Sequence, residues 1–407
     1  MSPASRQIAL INVSHGFTHY ALLILATAVL GMVAQEPGRF GSDYGPILAL
    51  GTGMFVLYGV LSLPMGWLAD RVGRRGLMAA HFLGTGGAMA LAGAAPGPWS
   101  LGALLAVMGA FNAIYHPIGT AMLVEAAGEK VGRSVGLNGV CGNVGVALAP
   151  VVTAAIAATL GWRWGFVLPG LACMAVGLLW LREAPLDLSG RLGGGKPFPA
   201  IPRPVVRRAV MVLLSIAFAS GFVFNAFTLL LPKLMQERLA ATPNLLPVVG
   251  MLAFAATLFG GVTQFTVGRM LDRTTLKRVF MPLAVIQVPA LLALALVQGW
   301  VVLPLAALLA ASIFGQVTVN ETMTARYVAP ALRARLYSVR FFVGFLGAAA
   351  ASPLVGLLHD MSGSLGVPLL VLAGFGLVTL VCALFFPDRK EELRPELWTQ
   401  ASPVPAE

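Results

Sequence analysis

The stretch GWLADRVGRRGLM, Gly66 to Met78, sets one acid and three arginines between two long apolar runs. Charge so placed belongs outside an apolar phase, and the stretch marks a loop between two buried segments. A second stretch, GRMLDRTTLKRVF, Gly268 to Phe280, repeats the arrangement. Gly66, Asp70 and Arg71 return as Gly268, Asp272 and Arg273, each 202 positions later in a chain of 407. A shift of half the chain marks an internal repeat.

Composition sets the solvent. Apolar residues make up 58% of the chain and charged residues 11%, against roughly a quarter charged in soluble globular chains. So little polar surface points to a lipid bilayer. The net charge of +11 comes in short basic bursts between apolar segments. Such bursts suit loops on an anionic membrane face rather than a phosphate-binding groove, so no nucleic-acid partner is expected. Cys141, Cys173 and Cys382 each sit inside an apolar run without metal or redox spacing. The first apolar segment is too long for a signal peptide and is expected to stay as a helix.

A helix needs about 20 mostly apolar residues to cross the hydrocarbon core. Twelve runs qualify, near 8–33, 46–68, 78–96, 99–122, 135–159, 163–182, 208–232, 246–270, 279–298, 301–325, 336–358 and 366–386. With the N-terminus inside, 23 of the 27 Lys and Arg residues fall on the cytoplasmic side. The positive-inside rule therefore predicts two cytoplasmic termini. The Gly-, Pro- and Arg-rich connection from Arg182 to Arg208 divides the chain. The predicted parts are an N-terminal six-helix bundle (1–182), a cytoplasmic linker (183–207), a C-terminal six-helix bundle (208–387) and a cytoplasmic tail (388–407). Parallel six-helix halves are a transporter architecture.

At these residues the chain resembles a known family. Gly66-Trp-Leu-Ala-Asp70-Arg71-Val-Gly73-Arg74-Arg75 resembles the loop 2–3 signature of the major facilitator superfamily, and Gly268 to Lys277 resembles its weaker echo in loop 8–9. The resemblance covers almost the whole chain through helix count, repeat and linker. It implies an all-α membrane protein of twelve transmembrane helices in two pseudo-symmetric bundles, working by alternating access. On the fifth helix, Gly136, Gly145 and Ala149-Pro150 resemble the antiporter signature of exporters in this superfamily. Ala149 stands where a glycine is usual, and no glycine pair follows Pro150. Small residues here also serve close helix packing, so direction-setting and packing are both open. GAFNAIYHPIGTAM and GNVGVALAP resemble the fosmidomycin-resistance-type branch of drug exporters.

The resemblance places Asp70 at the cytoplasmic end of helix 2, beside the start of helix 11. There a carboxylate meets a helix dipole and Arg340, with Arg71, Arg74 and Arg75 nearby. Asp272 and Arg273 are expected to do the same against helix 5. Such contacts would form only with the cytoplasmic side closed, making a bistable gate.

Polar residues inside spans are expensive and are expected to face a cavity. Helix 1 carries His15 and His19, four apart and so on one face. Helix 4 carries Asn112, Tyr115 and His116, helix 7 carries Asn225, and helix 10 carries Gln316, Asn320 and Glu321. Helices 6, 9 and 12 are almost bare. A 1.5 Å rise per residue places His15, His116 and Glu321 at similar depth, on the order of 10 Å inside the cytoplasmic edge. Glu321 is an acid well within a span and a candidate proton carrier. A structural reading pairs it with Arg326. His116 precedes Pro117, and a structural reading has it bond a carbonyl freed at a kink.

These residues predict a secondary transporter in the inner membrane, exporting a small molecule against protons. It is expected to be a monomer with no resident metal or cofactor. Two other transport readings are an organic-anion importer or exchanger using Arg340 and the histidines, and a transition-metal transporter using His15, His19, His116 and Glu321. A non-transporting receptor or scaffold is the reading from another class. No HExxH, GxSxG or phosphate-cradling motif occurs, which argues against an enzyme and against ATP as driver.

Overall fold

Backbone polar groups in lipid must be satisfied within the spanning segment, so apolar runs of this length become helices. The computed structural model describes residues 3–127, 131–183, 201, 203–240, 245–271, 273–328 and 330–386, and no strand occurs among them. Twelve long helices follow in order. The first six are α1 (Pro3–Gln35), α2 (Tyr44–Ser62), α3 (Arg74–Gly93), α4 (Pro98–Leu123), α5 (Val131–Thr159) and α6 (Trp162–Arg182). The second six are α7 (Arg203–Arg238), α8 (Leu245–Leu271), α9 (Leu276–Leu296), α10 (Val302–Tyr327), α11 (Pro330–Ser362) and α12 (Gly366–Leu384). Among the described residues, eleven helices are long and apolar enough to cross a membrane. The twelfth, α3, has the length but is diluted by His81 and several glycines. An even number of crossings puts both ends of the helical array on one side, here called the terminal end.

The two halves repeat. In the first, α1 packs on α5, α2 on α4, and α3 on both α4 and α6. Adding six to each number gives the pairs of the second half: α7 on α11, α8 on α10, and α9 on both α10 and α12. The halves meet along two seams that obey the same rule, α5 against α8 and α11 against α2. Lipid offers no hydrophobic drive between helices, so close backbone approach matters. Gly145 on α5 lies against the carbonyl of Gly16 on α1, and a side chain there would occupy that oxygen's space. Phe259, Phe265, Leu178 and Leu296 are exposed on the outside, where lipid takes the place of a buried core.

The sequence reading of one continuous helix over 46–68 is corrected. α2 ends at Ser62, and Gly66 and Asp70 ride on a separate short helix, Met65–Val72. Pro64 is the reason. It has no N–H to give the preceding turn and crowds the carbonyl four residues back. Gly73 then starts α3 with φ of 83°, a left-handed value that the signature's glycine accepts without strain. α7 also begins earlier than expected, at Arg203.

At the end opposite the termini, Arg163 joins three helices. Its Nε and Nη2 donate to Glu36 Oε1 and Oε2 at 2.9 and 2.8 Å, and its Nη1 donates to the carbonyls of Gly93 and Ala95 at 3.0 Å each. The hydrogen bonds from Arg163 hold the Glu36 carboxyl below its ordinary pKa, with the charges of Arg163 and Arg39 acting the same way.

Candidate functional site

His15, His19 and His116 meet. Their ring centroids stand 4.9 Å (His15–His19), 5.2 Å (His15–His116) and 5.7 Å (His19–His116) apart. One nitrogen from each ring lies within 4.8 Å of the others. One helical turn on α1 supplies the first pair. The third comes from a widened turn of α4, Tyr115–Gly119, which is a π-helix. Pro117 sits in that turn and cannot donate to the carbonyl four residues back.

Hydrogen bonds fix the ring states. His15 Nδ1 lies 2.7 Å from the carbonyl oxygen of Asn138, which can only accept, so Nδ1 carries the proton. In the neutral ring His15 Nε2 is then a lone pair, and it accepts from His19 Nε2 at 3.1 Å. Asn138 on α5 also donates from Nδ2 to Asn12 Oδ1 at 2.9 Å and to the Tyr115 hydroxyl at 2.7 Å. Tyr115 stacks on His15 at 4.9 Å. Gly142 leaves room for the His15 imidazole, because a Cβ there would stand 2.6 Å from Cε1 of the ring.

His116 behaves otherwise. Its Nε2 is buried without a hydrogen-bond partner, so the kink-carbonyl reading is replaced. Its ring stacks instead on Phe341 of α11 at 5.0 Å, which brings the second half of the chain onto the cluster. Tyr58 of α2 adds an edge at 6.3 Å and packs on Phe345 at 4.3 Å. Sequence reasoning missed Asn138, Gly142, Tyr58 and Phe341. A lone asparagine in an apolar helix was a usable signal for Asn138.

Other expected cavity residues are engaged elsewhere. Gln316 ties three helices of the second half together. It donates to Gln287 Oε1 at 2.7 Å and Ser312 Oγ at 3.2 Å, and accepts from Ser220 at 3.0 Å. Asn112 donates to the Thr18 carbonyl at 2.9 Å, and Asn225 to the Gly221 carbonyl on its own helix at 2.8 Å. Asn320 is buried with its Oδ1 unpartnered. Gly136 lies within α5, while the Glu321 side chain and all of Asp272 lie outside what is described. Pro150 meets α8, with its carbonyl 2.7 Å from where a Cβ on Gly250 would stand.

The two ends of the seams differ. Opposite the termini, the Gly45 N–H donates to Asp360 Oδ1 at 3.3 Å, and the Ser352 hydroxyl donates to the Leu48 carbonyl at 2.5 Å. Behind Asp360, His359 Nε2 bonds Glu237 Oε1 at 2.6 Å, and Glu237 Oε2 accepts from the Leu365 N–H at 3.0 Å. Further along, Asn143 of α5 donates to Gln264 of α8. At the terminal end, Asp70 is exposed and bonds none of the described residues. Arg71 lies over the Trp67 ring at 3.6 Å. Arg75 donates to the carbonyls of Leu181 and Glu183 at 2.6 and 2.8 Å, fastening α3 to α6 within one half. Arg74 opens α3, Gly268 and Arg273 flank the end of α8, and Arg340 lies 5.9 Å from the Phe341 ring. Among the described residues the halves are thus bridged opposite the termini and between α5 and α8, and not through Asp70.

The profile of the Major Facilitator Superfamily matches residues 9–256 and 234–405, nearly the whole chain. The chain belongs to the Major Facilitator Superfamily. It is therefore a multi-pass membrane protein of a transporter family. The multidrug resistance protein MdtG of Yersinia enterocolitica is 25% identical over 60% of this chain and 59% of its own. The membrane sensor protein UhpC of Salmonella typhimurium is 33% identical over 41% of this chain and 39% of its own. The match thus spans less than two thirds of these curated relatives. Two solved superfamily structures share the fold, both of a bacterial homologue of the human lysosomal transporter Spinster in inward-facing form. The unoccupied form has a TM-score of 0.68 over 100% of both chains, and the occupied form 0.72 over 95% of this chain and 97% of that one, each at 15% identity.

Proposed function

We propose that the protein is a proton-coupled secondary transporter that exports a small organic molecule across the inner membrane by alternating access. One observation carries this reading. His15, His19 and His116 converge where the two halves meet, and among the described residues the halves are bridged through Asp360 and Ser352 but not through Asp70. The 23-to-4 division of basic residues supports a cytoplasmic terminal end, and on that reading this is the inward-facing state. On the opposite stroke the seams at Asp360 would part and Asp70 would reach helix 11.

Proton coupling has a physical route. A proton added at His15 Nε2 turns that nitrogen into a donor facing the His19 N–H, so the bond between the rings breaks or reverses, with His19 moving its hydrogen to Nδ1. The rings of Tyr58, Phe341 and Phe345 beside the cluster offer flat apolar faces, suited to an amphipathic substrate. The α5 signature and the names of the MdtG relatives support export. Gly145 and Pro150 act in that role through their contacts with α1 and α8, and Gly136 is read in the same role from its place in the signature. The chain is read as a monomer, neither an enzyme nor a cofactor carrier. The name of the UhpC relatives supports a second reading, a sensor that binds without transporting.

The test is transport in proteoliposomes holding a pH-sensitive dye, with gradients of amphipathic drugs and organic anions. Substrate-dependent proton movement is expected, and its loss in His19→Ala and Glu321→Gln. Substrate flux without proton flux removes the coupling. Binding without flux of any substrate replaces the transporter by the sensor.

A further inference from the structure

We infer that His15, His19 and His116 form a binding site for one late first-row divalent metal ion of the Zn²⁺, Co²⁺ or Ni²⁺ class. The inference stands on ligand geometry and does not depend on the chain moving anything. Metal–imidazole bonds of about 2.0–2.1 Å at tetrahedral angles place ligand nitrogens about 3.3 Å apart. His15 Nε2 and His19 Nε2 are already 3.1 Å apart, and one nitrogen from each of the three rings lies within 4.8 Å of the others. His116 closes the remaining gap by turning its ring, which no hydrogen bond holds back.

Three further features of the cluster match a metal site. Metal-bound histidines donate their second ring N–H to a carbonyl or carboxylate, which fixes the tautomer and aims the other nitrogen. His15 does this, with Nδ1 on the Asn138 carbonyl at 2.7 Å and Nε2 facing the other rings. His116 Nε2 is buried and unpartnered, a cost that a metal bond removes. The widened turn at Tyr115–Gly119 and the absence of a Cβ at Gly142 bring two of the rings into place. Three neutral imidazoles with no thiolate or thioether favour these borderline ions over Cu⁺ and over Ca²⁺ or Mg²⁺. Three protein ligands leave a fourth position for water. The buried, unpartnered Tyr58 hydroxyl belongs to the ring 6.3 Å from His116 and gives that position a polar neighbour.

Metal displaces a specific contact. Binding takes the His15 Nε2 lone pair and requires His19 to move its hydrogen from Nε2 to Nδ1, which keeps the ring neutral, so the bond between the rings is exchanged for two metal bonds. Nothing is oxidised or reduced.

The test uses the purified full-length protein, freed of any affinity tag, titrated with Co²⁺ alone. The expected result is one ion per chain, with the intense visible absorption of four-coordinate cobalt, bleached by one equivalent of Zn²⁺. His15→Ala, His19→Ala and His116→Ala are each expected to weaken binding more than about a hundredfold, beyond the loss typical of an outer-shell partner. His81→Gln, a neighbouring ring outside the set, should leave it unchanged. If a variant fails to fold, the wild-type spectrum decides alone. The pale spectrum of six-coordinate cobalt, zero stoichiometry, or equal loss in His81→Gln would overturn the site.

Discussion

At the scale of single residues, Asn138 concentrates the order of the cluster. Its amide donates to both Asn12 and Tyr115 while its carbonyl holds His15. Asn138→Leu keeps the carbonyl and removes the donor, leaving two buried acceptors unpaired. A buried unsatisfied group costs about 1–3 kcal/mol, and hydrogen bonds between membrane helices average about 0.6 kcal/mol. The expected loss is therefore about 1 kcal/mol, read as a lower unfolding midpoint in detergent. An unchanged midpoint would show that these bonds carry no net stability. Arg163 gives a second prediction at this scale. Its hydrogen bonds hold the Glu36 carboxyl below 4.5 in the folded chain. The stability this adds is present above pH 4.5 and is lost as pH falls through the depressed value. Glu36 is 29% exposed, so screening keeps the gain small. Arg163→Gln should be less stable than wild type at pH 7, and the gap should narrow below pH 4.5. Part of the gap persists, because the carbonyl contacts to Gly93 and Ala95 do not titrate. A gap that widens in acid would contradict the assignment.

Some of this was legible in the sequence and some was not, for a physical reason. His15 and His19 are four apart, which fixes a shared face, and rise per residue gave His116 its depth. The same reasoning had Gln316 and Asn112 face a cavity, and both side chains bond neighbouring helices instead. A polar side chain inside lipid needs a partner, but the pattern of one helix does not say whether that partner is a substrate or another helix. Gln316 finds Gln287 and Ser220, and Asn112 finds the Thr18 carbonyl. Gly142 was equally illegible, because its role is the space it leaves for a ring on another helix.

At the scale of elements, the number and order of helices were readable, while their breaks depended on prolines in context. Pro64 ends α2 and Pro117 sits in a π turn, yet Pro150 and Pro169 lie inside unbroken helices. Neighbouring helices can satisfy the groups a proline frees, so neighbours decide the outcome. The join between α2 and α11 is likewise a property of elements. The His359–Glu237–Leu365 bonds hold the end of α11 against the end of α7, and Asp360 then reaches the start of α2. Glu237→Gln weakens the charged bond and should loosen this end. Spin labels at Ser42 and Ser364 would report a broader, longer distance distribution than in the parent protein. A distribution unchanged in width and mean would show that α2 and α11 are held by packing alone.

At the scale of the whole molecule, the duplicated halves meet along two equivalent seams, and the polar bonds across them are unevenly spent. One end is bridged at Asp360 and Ser352, while Asp70 at the other end is exposed and bonds none of the described residues. If the signature acid only enforced topology, Asp70→Asn would change nothing, because the arginines around it suffice. If it closes the terminal end in the opposite state, the variant should separate two measurements. In this state Asp70 is exposed and bonds none of the described residues, so the unfolding midpoint should shift by no more than a typical surface change, about 0.5 kcal/mol. Transport should nonetheless fall, because the state in which Asp70 meets helix 11 loses a charge-assisted contact and becomes less populated. A loss of about 1.4 kcal/mol from that state lowers its equilibrium population tenfold relative to this one. Flux in proteoliposomes and thermal unfolding of the same preparation give both readings. Unchanged flux at unchanged stability would return Asp70 to a topological role, and a large drop in stability would mean that it is engaged in this state after all.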